Sequence, residues 1–185
     1  MRTPQRSIPT AETAAHGVQR AQRQGLYTPE ERARRDASPW TLVQGVLAPV
    51  QFLIFIVSLV LVLRFLLTGQ GELAATSSVV VKTIALYAIM VTGCIWEKVV
   101  FGRYLFAPAF FWEDVFSMLV LALHTAYLVV LATQTLSVQQ QMYLALAAYA
   151  SYIVNATQFI LKLRAARLQQ HTEQAVHHPL QEARA

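Results

Sequence analysis

The sequence predicts an all-α integral membrane protein, a four-transmembrane-helix bundle with both termini cytoplasmic. Three observations carry this. Apolar residues make up 55% of the 185 and charged residues only 14%, against about 25% charge in an ordinary soluble domain. Long runs lack any charge; the stretch 42–63 has none. Lys and Arg also collect on one side of the predicted spans, which sets topology.

Residues 1–37 are rich in Arg, Gln, Ala and Thr and carry no apolar stripe able to bury a core. They are expected to be mostly disordered, and they lack the apolar core of a cleavable signal peptide. The exception is Thr28-Pro29-Glu30-Glu31. A Thr N-cap, Pro at the first helical position and Glu three residues after the cap form a capping box. It predicts a short helix near 29–35, lying on the lipid headgroups.

Ser38-Pro39-Trp40 repeats that start signal. The four-helix domain is predicted over 38–163, with spans at about 41–67, 78–100, 112–133 and 140–163. Each is long enough for a hydrocarbon core of ~30 Å. Pro49 lies inside the first span and should kink it. A polar turn is expected at 68–77, a Gly- and Pro-bearing connector at 101–111, a second polar turn at 134–139 and a fraying polar tail over 164–185.

With the N-terminus cytoplasmic, thirteen of the 15 Lys and Arg fall on the cytoplasmic side. Only Arg64 and Lys82 fall opposite, both expected near span ends where a long side chain can snorkel to water. The net charge of +5 suits anionic headgroups. A nucleic-acid partner is not expected, because most of the chain belongs in the lipid bilayer. The lone cysteine, Cys94, rules out a disulfide within the chain and a cysteine-rich metal site.

Polar groups that lipid would exclude are the natural candidates for function. Glu97 and Lys98 close the second span; Glu113 and Asp114 open the third. Trp96, Phe101, Tyr104, Phe106, Phe110, Phe111 and Trp112 surround them in sequence. Aromatic belts are usual at membrane interfaces. Carboxyls held there are less usual, and they suit proton transfer. His124 lies ~18 Å below Trp112 by helix rise, near mid-bilayer. It shares a helix face with Glu113, Ser117, Val120 and Tyr127. Three readings stay open for it: a histidine bonded to a neighbouring helix, an axial ligand to a tetrapyrrole metal, or a proton relay. Ser151, Asn155 and Gln158 form one stripe of the fourth span, and Gln44 and Gln51 lie in the first. Amides of this kind often hold helices together. No pair of intramembrane histidines, phosphate loop or His-rich iron box appears. No metal site of the protein's own is expected. Acid–base chemistry on an apolar substrate, or a binding role, remains.

Several segments resemble the 3-vinyl (also named 2-vinyl) bacteriochlorophyllide hydratase family. They are LYTPEER at 26–32, WTLVQGVLAP at 40–49, YAIMVTG at 87–93, IWEKVVFG at 95–102, LFAPAFFWEDVFSM at 105–118 and HTAY at 124–127. The resemblance spans about 26–168 and is most specific at 96–118. It implies a hydro-lyase of bacteriochlorophyll biosynthesis that adds water to the C3-vinyl group of a chlorophyllide-type tetrapyrrole, giving a 1-hydroxyethyl group. It also implies a multi-pass protein of the bacterial inner, intracytoplasmic photosynthetic membrane.

On that footing Glu97 or Glu113 is expected to be the acid. Asp114 would position or deprotonate water, and His124 would ligate the substrate's magnesium or support the slot. Lys98 or Arg103 would meet the substrate's propionate. Trp96, Phe110, Trp112, Tyr127, Asn155 and Gln158 would line the slot. No cofactor is needed, since the substrate carries its own Mg. Partners left open are a second copy of the chain and other pigment-biosynthesis enzymes. The rival reading is a non-enzymatic membrane pigment carrier or assembly factor, with a small transporter third.

Overall fold

The computed structural model describes the backbone of residues 26–182 and the side chains of 26–168. The disorder expected over residues 1–25 lies outside the described residues. The described chain is helical: α1 Pro29–Ala37, α2 Pro39–Thr68, α3 Glu72–Phe101, α4 Phe111–Thr133 and α5 Val138–Glu182. Four helices are long and apolar enough to cross a membrane; the most apolar stretches of α2, α3, α4 and of Val138–Leu168 within α5 have mean hydropathy of 2.8, 1.9, 2.2 and 1.4. Side chains such as Leu42, Leu53, Leu67 and Leu73 face outward. That is the expected arrangement when the solvent is hydrocarbon.

The bundle is two antiparallel hairpins, α2 with α3 and α4 with α5, laid against each other. Polar pairs pin the first hairpin: Gln44 Nε2 donates to Thr92 Oγ1 at 2.7 Å, and the Ser58 and Ser78 hydroxyls meet at 2.7 Å. Tyr149 joins the hairpins, its hydroxyl 2.6 Å from that of Ser58. A core of Phe55, Val62, Ala75, Val79, Tyr127, Met142, Ala145 and Tyr149 fills the half nearer the short turns. α2 runs unbroken through Pro49.

The turn between α2 and α3 is tighter than expected. Gly69 and Gly71 both take left-handed backbone, φ +70° and +88°, where a Cβ would be strained. The chain therefore reverses within 69–71, and α3 begins at Glu72 rather than near 78. At the other end of the fold α5 continues past the expected fraying point at Arg164.

The capping box of α1 forms: Glu31 N–H donates to Thr28 Oγ1 at 3.2 Å, and Thr28 N–H to Glu31 Oε2 at 2.8 Å. Yet α1 does not lie free on headgroups. It docks on the end of α3, where Arg34 Nε donates to the Val100 carbonyl at 2.8 Å. Tyr27, just before the cap, is buried on Phe101 and Phe110, with ring centroids 5.8 and 6.3 Å away. Burial pushes the Tyr27 phenol pKa up, and the Arg35 guanidinium over its ring partly opposes this.

Candidate active site

At the α1 end of the bundle, α3 delivers Glu97 and α4 delivers Glu113 and Asp114. All three are buried, at 6%, 7% and 4% exposure. The Glu97 and Asp114 carboxyls meet within hydrogen-bonding reach of each other. An ionised carboxylate has no donor, so a bond between two carboxyls requires a proton between them.

The connector 102–110 folds over this pair. Phe106 takes left-handed backbone, φ +58°, uncommon for a bulky residue. That turn lets successive amides converge. Phe106 N–H donates to Asp114 Oδ2 at 2.7 Å, and Ala107 N–H to Glu97 Oε2 at 3.3 Å. Convergent backbone N–H groups of this kind form an anion-binding hollow; here the anion is the protein's own carboxyl pair. Gly102 starts the connector with φ +78°.

Glu113 has a different partner. Lys162 of α5 places Nζ 2.6 Å from Glu113 Oε2 and lies over the Phe110 ring, 4.8 Å from its centroid. The aromatic residues form a packed cluster rather than an open slot. Trp96, Phe101 and Phe110 meet edge to face at 5.7–5.8 Å, and Phe159 stacks on Phe110. Trp96 Nε1 donates to Thr41 Oγ1 at 3.0 Å.

The predicted face of α4 is its buried face: Glu113, Ser117, Val120, His124 and Tyr127 all point inward. Asn155 Nδ2 donates to Ser117 Oγ at 2.9 Å. The Asn155 and Gln158 side-chain oxygens are buried without a hydrogen-bond partner. His124 is fully buried, with Nδ1 2.8 Å from the Val120 carbonyl. A carbonyl only accepts, so Nδ1 carries the proton and Nε2 presents a lone pair. That Nε2 is buried and unpartnered, the tautomer suited to a metal ion.

These features have a counterpart among known proteins. The model of the 2-vinyl bacteriochlorophyllide hydratase family matches residues 27–165. The chain belongs to this family. One similar protein is the 2-vinyl bacteriochlorophyllide hydratase of Rhodobacter capsulatus, 67% identical over 157 residues, covering 85% of this chain and 91% of that one. Another is the protein of the same name from Cereibacter sphaeroides, 61% identical over 166 residues, covering 90% and 99%. No solved structure matches.

Within this hydratase-family fold, Glu97, Asp114 and Glu113 converge with Trp96 and Phe110, and Asn155 and Gln158 lie along the same seam. Other expected residues stand apart. Lys98 turns its ammonium back to the Gly102 carbonyl at 2.9 Å, capping α3, and Arg103 is exposed. Trp112 is 67% exposed on the outer face. Tyr127 belongs to the core near the short turns.

Sequence reasoning missed Lys162, which counted only as a positive charge. It continues the stripe Asn155, Gln158, Lys162, and that spacing was the available signal. Lys82 does not snorkel. The early start of α3 carries it into the bundle, where it is fully buried.

Proposed function

We infer that the chain adds water to the vinyl group of a bacteriochlorophyllide, and that the Glu97–Asp114 pair carries the acid–base step. The single observation supporting this is the juxtaposition of two buried carboxyls under converging amides, in a family whose named members are hydratases.

The reaction needs a proton on the terminal vinyl carbon and water on the inner one. The proton held between the carboxyls is the one delivered. Glu97 lies near the C-terminus of α3, where the helix dipole disfavours negative charge; Asp114 lies in the first turn of α4, where the dipole favours it. Glu97 is therefore the donor and Asp114 the carboxylate. Protonation leaves a cation on the inner carbon, conjugated with the macrocycle. Water attacks that carbon, Asp114 takes the released proton, and the product is the 1-hydroxyethyl group. One proton leaves the pair and one returns, so the pair ends as it began. The Phe106 and Ala107 amides hold charge on the pair throughout.

Glu113 is set aside as the donor because Lys162 engages it. His124 Nε2 fits the substrate's own magnesium as an axial ligand. No cofactor of the protein is invoked. The enzyme works in the bacterial inner, intracytoplasmic membrane with both termini cytoplasmic; four apolar helices and the bacterial relatives support the membrane, and the Lys and Arg asymmetry supports the orientation.

The test is product mass after incubation with purified membranes. Glu97→Gln and Asp114→Asn should each lower turnover by about 10²–10⁴-fold while pigment still binds. Near-normal gain of one water mass in both variants overturns the assignment of the pair. Bound but chemically unchanged pigment in the wild type would favour the carrier reading.

A further inference from the structure

Lys82 is the one lysine that the chemistry above leaves unused and that the fold buries completely. It sits ten residues into α3 from Glu72, at 0% exposure. Its Nζ has no hydrogen-bond partner and lies 3.7 Å from the centroid of the Tyr152 ring. No carboxylate among the described residues is within ion-pair distance of it.

Its surroundings are built for something that the fold itself does not supply. Phe55 meets Tyr149 edge-on at 5.4 Å and Tyr152 at 5.0 Å, giving aromatic walls. His124, with its unpartnered Nε2, is close enough to feel the lysine's charge. Gln51, one turn from Phe55 on the same buried stripe of α2, is 3% exposed and has an unpartnered Nε2. Two orphaned donors and one orphaned acceptor thus lie in or beside the seam between the hairpins.

An unpaired ammonium at this depth is expensive, and a ring face offsets only part of the cost. A methionine of similar length would cost nothing of the kind. An anion arriving from outside would supply the partner that this buried ammonium lacks within the fold.

The substrate class brings one. A bacteriochlorophyllide is the pigment with its propionic acid unesterified, so it carries a single carboxylate on an otherwise apolar ring. The surface cations do not compete well for it, since Lys98 is spent on its helix cap and Arg103 faces solvent. We propose that Lys82 is the receptor for the substrate's carboxylate. This rests on the reading of the Glu97–Asp114 pair as the vinyl end of the site. Lys82 and Glu97 share α3 and are ~22 Å apart by helix rise, a span that the two side chains, the macrocycle and its propionate arm together bridge. His124, ~15 Å along α4 from Asp114, falls between them, where the ring's magnesium would lie. For the pigment to stand along the bundle axis, carboxylate toward mid-bilayer, the hairpins, whose facing residues Phe55, Tyr127, Met142 and Tyr149 are closely packed, must part to admit it.

The experiment compares binding of the free-acid pigment and its methyl ester to the full chain in nanodiscs, followed by pigment absorbance. Wild type should bind the ester at least tenfold more weakly than the acid. Lys82→Met should weaken binding of the acid at least tenfold and leave the ester unchanged, so that the two converge; Lys82→Arg should keep part of the preference. Ligand-free Lys82→Met should melt at or above the wild-type temperature, because it removes a buried charge that has no partner to lose. Equal affinity of wild type for acid and ester overturns the proposal without any variant. Equal loss of both ligands in Lys82→Met, together with a lower melting temperature, overturns it in favour of a structural role. Glu97→Gln separates the two readings, since it should bind both ligands as wild type does while turning over neither. If Glu97→Gln hydrates normally but the acid–ester preference still depends on Lys82, the carboxyl-pair mechanism fails and the receptor stands.

Discussion

Phe106 donates its backbone N–H to Asp114 Oδ2 at 2.7 Å from a left-handed conformation that its side chain disfavours. A bulky residue there costs on the order of 1–2 kcal/mol. The fold tolerates the strain, and the return is a pair of amides aimed at the carboxyls. Phe106→Gly keeps the amide and relieves the strain, at the expense of the ring contact with Phe111 at 5.7 Å. It should retain turnover within a few-fold. Phe106→Pro removes the donor and cannot take positive φ. It should lose turnover by at least as much as Asp114→Asn. Product mass measured on equal amounts of folded protein checks both.

The carboxyl pair should behave as a unit. If one proton is shared, disabling either partner disables both the delivery and the recovery of that proton. The double variant Glu97→Gln/Asp114→Asn should therefore be no more than a few-fold slower than the worse single variant, rather than showing the product of the two losses. Multiplicative losses would mean that the two carboxyls act in separate steps.

Glu113 and Lys162 make the opposite prediction, because each is the other's ion-pair partner. Lys162→Met leaves the Glu113 carboxyl buried without its partner, and Glu113→Gln leaves the ammonium without its own. Full burial would make each loss about 3–5 kcal/mol. Lys162 keeps 25% side-chain exposure, which reduces the expected cost to roughly 2 kcal/mol. The pair Glu113→Gln/Lys162→Met should recover most of that stability. A double-mutant cycle on the detergent-solubilised melting temperature reads the coupling. Turnover in the double variant should stay far above that of Glu97→Gln.

Four spans were legible because lipid demands long uncharged runs, and charge-free stretches are visible residue by residue. Glu97, Glu113 and Asp114 were legible for the same reason inverted: acids beside such runs stand out. The sequence did not reveal which acid meets which partner. Nothing in the order of residues separates Glu113, held by Lys162, from Asp114, held by Glu97. The donors at Phe106 and Ala107 are backbone groups and have no residue-type signature. Lys82 was misplaced by a boundary. Reading 68–77 as turn put it near a span end, and the reversal within 69–71 moved it inside.

Helix α1 should act as a separable cover on the acid end. Tyr27 is 4% exposed, and its ring is the main apolar contact of the segment. Tyr27→Ala should cost about 3 kcal/mol of local stability, and Thr28→Ala about 1 kcal/mol through loss of the cap. Both should speed hydrogen exchange of the α1 amides while leaving the core amides of α3 and α4 protected. Uniform loss of protection through the bundle would mean that α1 is integral to the fold rather than a cover.

Removing the substrate's magnesium tests His124. Its Nδ1–H is committed to the Val120 carbonyl, so Nε2 has no proton to donate and offers only its lone pair. A demetallated pigment of the same shape offers that pair only two inner N–H groups, which point into the ring plane rather than toward the histidine, and burial leaves Nε2 no water to use instead. Wild type should therefore bind the demetallated pigment at least tenfold more weakly than the magnesium form. His124→Phe keeps a ring of similar size beside Tyr149, now 5.9 Å away, but cannot ligate. It should bind the two pigments equally, at the weaker of the wild-type affinities. A shift in the pigment's absorption band on binding, present in wild type and absent in His124→Phe, would report the axial bond directly. If His124→Phe still prefers the magnesium form, the histidine serves packing alone and the ligand must come from elsewhere in the seam.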